Sequence, residues 1–309
     1  MQGERPAAEL KMSDAEFRMF SDLLRTHCGL SFGPDLRYLL QKRVASRVNQ
    51  LGVGSFAAYH YLLRHAAAGD EELARLVEEV TTNETYFLRE RNQLVALLHE
   101  ILPELAARRR APGPLQIWSA GCSSGEEPYS IVILALEAGL HPGRDFRLYA
   151  SDIDRTVLRR ARAGVYRAAS FREMERRLQE RYFVEKEGTW RISDEVKRHV
   201  CFAHMNLLKP SRAGLLGPLD VVLCRNVIIY FDLDSRRRVI ETFADKLRPG
   251  GYLLLGHSES LINLSNAFQL RHLRSDLVYR KPGLDEPRDA WHTLASRAAS
   301  AFGPEEDPA

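Results

Sequence analysis

The sequence predicts an α/β protein: a doubly wound, mostly parallel sheet, preceded by an N-terminal helical domain and interrupted by a small inserted β subdomain. Three observations predict it. Between residues 115 and 256, short apolar runs alternate with helical patterns, as parallel strands covered on both faces require. Residues 11–90 hold only helical periodicities, punctuated by glycine stops. Residues 165–199 break the alternation with a polar helix and a short hairpin around Glu187 and Gly188.

The elements follow in chain order. Ser13 and Glu16 form a capping box before a first helix that stops at Gly29. A second helix over 34–51 turns Leu36, Leu40, Val44, Val48 and Leu51 inward. Its other face carries Arg37, Lys42, Arg43 and Arg47. Two more helices fit 56–65 and 71–80. A long helix over 90–109 ends in the connector Arg108-Arg109-Arg110-Ala111-Pro112-Gly113-Pro114, a run that cannot continue it. The strands expected are 115–120, 146–150, 200–204, 219–224 and 252–256. Helices are expected at 128–138, 155–163, 171–181 and 234–247, the last closed by Arg248 to Gly251. A hairpin over 268–281 adds an antiparallel edge. The chain divides into a helical domain (11–90), a larger α/β domain (91–281, with 165–199 inserted) and a tail (282–309) expected to be disordered.

Composition narrows the functional classes. The 309 residues are 45% hydrophobic and 28% charged, ordinary values for a globular protein. No apolar run approaches the roughly 20 residues of a membrane span, so no membrane insertion is expected. The four cysteines have no metal-ligand or disulfide spacing, which implies reduced thiols, a cytoplasmic setting and no metal centre. A net charge of +3 is weaker than nucleic-acid binders show, and no nucleic-acid partner is expected.

In doubly wound sheets ligands bind beyond the carboxyl ends of the strands, where strand order reverses. The loop 120–127, Ala-Gly-Cys-Ser-Ser-Gly-Glu-Glu, leaves the first strand there. Gly121 and Gly125 permit close backbone approach to a ligand. Glu126 and Glu127 would repel a phosphate at the helix start and favour a cofactor that brings positive charge. S-adenosyl-L-methionine fits, with a sulfonium, an amino group and no phosphate. Read otherwise, the two glutamates only complement their helix dipole. Asp152, ending the second strand, suits a pair of ribose hydroxyls. Arg225 and Asn226 emerge from an apolar strand, where an unpaired charge is costly; a structural ion pair accounts for them equally well. Residues 81–89, Thr-Thr-Asn-Glu-Thr-Tyr-Phe-Leu-Arg, read by propensity as a capped helix start.

Taken together, these segments resemble the chemotaxis receptor methyltransferases, the CheR family. The resemblance rests on Thr81-Thr82-Asn83 with Phe87 and Arg89, Trp118 to Ala120 with Gly125-Glu126-Glu127-Pro128-Tyr129-Ser130, and Ala150 to Asp154. It continues in Asn206-Leu207-Leu208, Cys224-Arg225-Asn226-Val227 with Ile229 to Phe231, and Gly256-His257-Ser258-Glu259. It implies a protein-glutamate O-methyltransferase on a methyltransferase-type sheet, with S-adenosyl-L-methionine as cofactor and S-adenosyl-L-homocysteine as product. By resemblance the cofactor site is Asn83, Thr85, Arg89, Gly121, Glu127, Asp152, Asn206, Leu207, Cys224 and Arg225. Within it Asp152 holds the ribose, Arg89 faces the methionine carboxylate and Asn206 with Leu207 meets the adenine. Arg225 and Tyr230 lie nearest the transferred methyl.

The implied partner is the cytoplasmic helical region of methyl-accepting chemoreceptors, engaged by a monomer through Arg37, Lys42, Arg43 and Arg47. A solvated helix face is the plain alternative for those four. Some relatives carry a longer, glycine-rich hairpin loop that grips a receptor C-terminal peptide. The loop 184–189 here is shorter and has one glycine, which implies docking through the helical domain alone. Two rival classes remain: a nicotinamide-dependent oxidoreductase, disfavoured by the missing GxGxxG, and a non-catalytic receptor-binding module.

Overall fold

The computed structural model describes residues 10–109, 112–209 and 216–284. The tail expected to be disordered lies almost wholly outside them.

Helix α1 (Asp14–Cys28) begins where expected. The Ser13 hydroxyl accepts from the Glu16 amide while the Glu16 carboxylate takes the Ser13 amide, and Gly29 closes the helix at φ 80°. A 3-10 turn at Pro34–Leu36 precedes α2 (Arg37–Leu51), followed by α3 (Phe56–His65) and α4 (Gly69–Val80). Leu40, Val44 and Val48 are buried against this bundle, but Leu36 and Leu51 are 37% and 40% exposed. Leu36 sits in the 3-10 turn, out of phase with the helix, and Leu51 is the last helical residue. Residues 81–86 are not a helix start; they run as an irregular linker to α5 (Arg91–Ala96). A π turn at Leu97–Ile101 joins α5 to α6 (Leu102–Arg108).

The alternating region gives β1 (Leu115–Ala120), α7 (Glu126–Glu137), β2 (Phe146–Asp152) and α8 (Arg155–Ala163). The insertion holds β3 (Val165–Tyr166), α9 (Arg176–Tyr182), β4 (Phe183–Lys186), β5 (Thr189–Ile192) and α10 (Asp194–Lys197). Then come β6 (Val200–His204), β7 (Leu219–Cys224), α11 (Leu233–Lys246), β8 (Leu247–Leu255), β9 (Gln269–His272) and β10 (Leu277–Arg280). The large sheet has the order β6-β2-β1-β7-β8-β10-β9, parallel from β6 to β8, with β10 and β9 antiparallel. The chain winds outward from β1 to β2 and β6, then returns to β7 beside β1. The reversal in strand order therefore falls between β1 and β7.

Both faces of the sheet are buried. On β7, Val222 and Cys224 point to one core, while Val221 and Leu223 point to the other. The first core runs unbroken from the sheet through Trp118 and Phe243 into Leu40, Tyr59 and Leu76 of the helical region. The helical region is thus seated on the sheet, packed into its core.

Three expectations change in detail. The sequence Arg248 to Gly251, expected to end a helix, is the first half of β8; a register shift between Leu219 and Val221 of β7 accommodates it. Strand β3 was not foreseen because two residues carry no periodicity. The helix expected from 171 begins at Arg176, since Phe171 ends a 3-10 turn and is buried among Phe87, Tyr166 and Phe183. The insertion forms a β3-β5-β4 sheet. Glu187 and Gly188, at φ 52° and 72°, make the two-residue turn of its β4-β5 hairpin.

Candidate active site

A cleft opens at the carboxyl ends of β1, β2 and β7, where strand order reverses. Its walls include Asn83, Thr85, Arg89, Gly121, Glu127, Asp152, Asn206, Leu207, Arg225 and Tyr230. Of the residues named from sequence for the cofactor, Cys224 is the one the cleft leaves out. It ends β7 fully buried, facing the first core, and burial pushes its thiol well up.

The loop after β1 is built by hydrogen bonds to β2. The amides of Gly121 and Cys122 both donate to the Ser151 carbonyl, at 2.8 and 2.9 Å. The Ser123 amide donates to Asp152 Oδ2 at 2.8 Å, and the Asp154 amide to Oδ1 at 2.9 Å. Asp152 is 8% exposed; burial raises its pKa to about 6, against those amides, which favour the carboxylate. The structure adds a reason for the glycines beyond the expected one. A Cβ on Gly121 (φ 85°) would meet Val227 Cγ2 at 2.4 Å, and one on Gly125 (φ 93°) would meet Ala161 Cβ at 3.0 Å. Both therefore admit neighbouring protein, although Gly121 also lines the cleft.

The paired glutamates divide. Glu126 turns inward, accepting from Ser124 and Ser170, and burial raises its pKa. Only Glu127 faces the cleft, its Oε1 taking the Ser119 hydroxyl at 2.7 Å. Its other oxygen accepts from Arg225 Nη1 at 3.0 Å. Arg225 Nη2 donates to the Arg89 carbonyl at 2.5 Å and to Glu90 Oε2 at 3.1 Å. The side chain is 2% exposed, and its Nε has no acceptor among the described residues. Each terminal nitrogen thus bonds protein, while Nε, on a residue that lines the cleft, keeps its donor. Arg225 is ion-paired to two carboxylates and also lines the cleft, so the structure shows the ion pair without removing the residue from the site.

Other predicted residues also hold protein. Asn83 Nδ2 donates to Asp154 Oδ2 at 2.7 Å, and its carbonyl accepts from Ser123 Oγ at 3.2 Å. Asn83 thereby braces the linker against the glycine loop and the N-cap of α8. Asn206 Nδ2 donates to the His27 carbonyl at 2.7 Å, anchoring the end of α1. Arg89 Nη1 donates to the Glu84 carbonyl at 2.9 Å. Tyr230 is 36% exposed; its carbonyl accepts from the Ser31 amide at 2.9 Å, so the helical region touches the loop that presents the phenol.

Two residues escaped the sequence reading. Glu259, 9% exposed, accepts from the amides of Asn226, Val227, Ile229 and Gly256 and so shapes the loop after β7. Glu90, in the left-handed region at φ 50°, clamps Arg225 and takes Asn226 Nδ2 at 3.3 Å. The Gly256-His257-Ser258-Glu259 segment was visible as a motif without a role. Nothing in the composition around Glu90 marked it.

On the basic helix, Arg47 makes a two-pronged pair with Glu72 of α4 at 2.9 and 2.7 Å, and Tyr59 donates to the same carboxylate. Arg43 Nη1 donates to the Val80 carbonyl at 2.6 Å. Arg37 bonds Asp14 and the Met12 carbonyl. Lys42 alone of the four is exposed. The strongly positive outer face expected from sequence is therefore reduced, because two of its arginines turn inward to carry the bundle.

The cleft fits a nucleoside cofactor that brings hydroxyls and positive charge. Asp152 and Glu127 supply acceptors, Arg225 is matched by two carboxylates, and its buried Nε remains a donor without a partner among the described residues. Such a cleft, at the switch point of a doubly wound sheet, is the site of a nucleoside-cofactor-dependent protein. The sequence profile of the CheR methyltransferase SAM-binding domain matches residues 83–276, and that of the CheR all-alpha domain matches 15–81. The chain belongs to the CheR methyltransferase family. It is 39% identical over 277 residues to chemotaxis protein methyltransferase 2 of Vibrio cholerae, covering 89% of this chain and 95% of that protein. With the chemotaxis protein methyltransferase of Escherichia coli K12 it shares 37% over 267 residues, covering 85% and 90%.

Proposed function

We propose that the protein methylates glutamate side chains of chemoreceptor cytoplasmic helices, forming methyl esters in chemotactic adaptation, and that it works as a cytoplasmic monomer. The observation that carries this reading is the contact between the helical region and the Tyr230 loop at the mouth of an acidic nucleoside cleft. A receptor helix lying on α1 to α4 would present its glutamates to that mouth.

Bound S-adenosylmethionine supplies a methyl group on a sulfonium. The rest of the work falls to this chain's own residues. Asp152 would accept the ribose hydroxyls, and Arg89 would face the methionine carboxylate. Asn206 and Leu207 would border the adenine, and Tyr230 would guide the acceptor. A glutamate with a pKa of about 4.3 is ionised at neutral pH, so no general base is needed. The site's contribution is alignment and exclusion of water, which can together be worth about 7–11 kcal/mol. Arg225 acts by holding Glu127.

Labelled S-adenosylmethionine incubated with receptor cytoplasmic fragments should yield base-labile methyl incorporation. Tyr230→Phe should lower that rate by at least about tenfold while S-adenosylhomocysteine affinity changes less than about threefold. Absence of base-labile label across several receptors would sink the glutamate reading while leaving cofactor binding intact.

A further inference from the structure

We propose that Glu90, Arg225 and Glu127 form a charge triad through which the cleft distinguishes the cationic methyl donor from its neutral demethylated product. The inference rests on the S-adenosylmethionine assignment and goes beyond it to what sets selectivity between the two cofactor states.

The Arg225 guanidinium lies between two carboxylates, 3.1 Å from Glu90 and 3.0 Å from Glu127. Two carboxylates against one guanidinium leave one negative charge. The three side chains are 2%, 14% and 16% exposed, so water and salt screen that charge weakly. Glu127 and Arg225 line the cleft, whereas Glu90 does not line it and reaches it through Arg225. Without Glu90 the remaining pair would be neutral. Holding Glu90 there requires a left-handed backbone at a non-glycine residue, a cost that persists only where the surroundings fix it. Arg225 and Asn226 both bond the Glu90 side chain, and Arg225 also bonds the Arg89 carbonyl beside it.

S-adenosylmethionine and S-adenosylhomocysteine differ by a methyl group and by the positive charge on sulfur. Ribose, adenine, amino and carboxylate groups are common to both. Contributions from Asp152 and Arg89, which also line the cleft, therefore cancel largely when the two affinities are divided. The ratio isolates what the cleft does with the sulfonium charge. The triad's surplus negative charge favours the donor over the product, which helps fresh donor to displace product after each transfer. A purely structural Glu90, propping the loop, would weaken both ligands alike.

The test is calorimetric titration of the full chain with each ligand, without any receptor, so that no turnover intervenes. Glu90→Gln keeps the size and one acceptor oxygen but removes the charge. It should raise Kd for S-adenosylmethionine about fivefold or more beyond its effect on S-adenosylhomocysteine, the order expected for one poorly screened unit charge within a cleft. Glu90→Asp retains the charge and should retain the wild-type ratio. Glu127→Gln should move the ratio in the same direction as Glu90→Gln and carries the test if that variant does not fold. Equal changes for both ligands in the charge-removing variants would overturn the triad. Failure of the wild type to bind either ligand would instead overturn the cofactor assignment.

Discussion

At the carboxyl end of β2, Asp152 is held in an environment that resists its charge. Its folded pKa of about 6 lies above the ordinary 3.8, so folding favours the protonated form. Stabilisation from that proton is complete below 3.8 and is lost as pH rises through about 6. Hydroxyl donors need the carboxylate, so cofactor affinity should follow the opposite course. Binding of S-adenosylhomocysteine should strengthen as pH rises from about 5 to 7 and then level off; Asp152→Ala should bind weakly and show a flatter profile by titration calorimetry. Glu259 gives a second expectation at this scale. Four backbone amides converge on its carboxylate, although burial raises its pKa. Glu259→Ala would orphan those donors and should destabilise the protein by about 3 kcal/mol or more in urea unfolding, since each unsatisfied buried donor costs about 1–3 kcal/mol.

Among the elements, α2 separates carrying a fold from meeting a partner. Burial works against ionisation of Glu72, yet hydrogen bonds from Arg47 and Tyr59 hold its pKa below the usual carboxylate range. Breaking such a pair leaves a buried charge behind, so Arg47→Ala should cost about 3–5 kcal/mol of stability. Lys42→Glu, on the exposed side, should leave unfolding unchanged and slow receptor methylation. A methylation defect in Arg47→Ala that vanishes once unfolded protein is discounted would confirm this division. The loops after β1 and β7 form another unit, because Gly121 admits Val227. Gly121→Ala combines a positive φ with a 2.4 Å clash, and should lower cofactor affinity and melting temperature together.

Across the whole molecule, one core joins the sheet to α1 through α4. Calorimetry should accordingly show a single cooperative transition, with no separate melting of the helical region. Saturating S-adenosylhomocysteine should move that transition as a unit; at 100 times Kd the gain is about 2.7 kcal/mol. A lower, cofactor-independent transition for the helices would show that the shared core does not couple them.

The sequence by itself determined the class of fold, the order of the main elements and the place of the cleft after β1 and β2. Strand and helix periods, capping residues and glycine stops are local signals, and a parallel sheet brings its strand ends to one place whatever the details. Asp152 and Gly121, and the two glutamates as an undivided pair, were therefore legible from their position after β1 and β2. Pairing across long separations is not a local signal, and there the tertiary structure decided. It turned Glu126 inward and Glu127 outward, although both start the same helix. It took Arg43 and Arg47 out of the basic face and left Cys224 behind the cleft wall. It also gave Arg225 to Glu90, 135 residues away in sequence. A buried charge needs a partner wherever the fold brings one, and the sequence shows the charge without showing the partner.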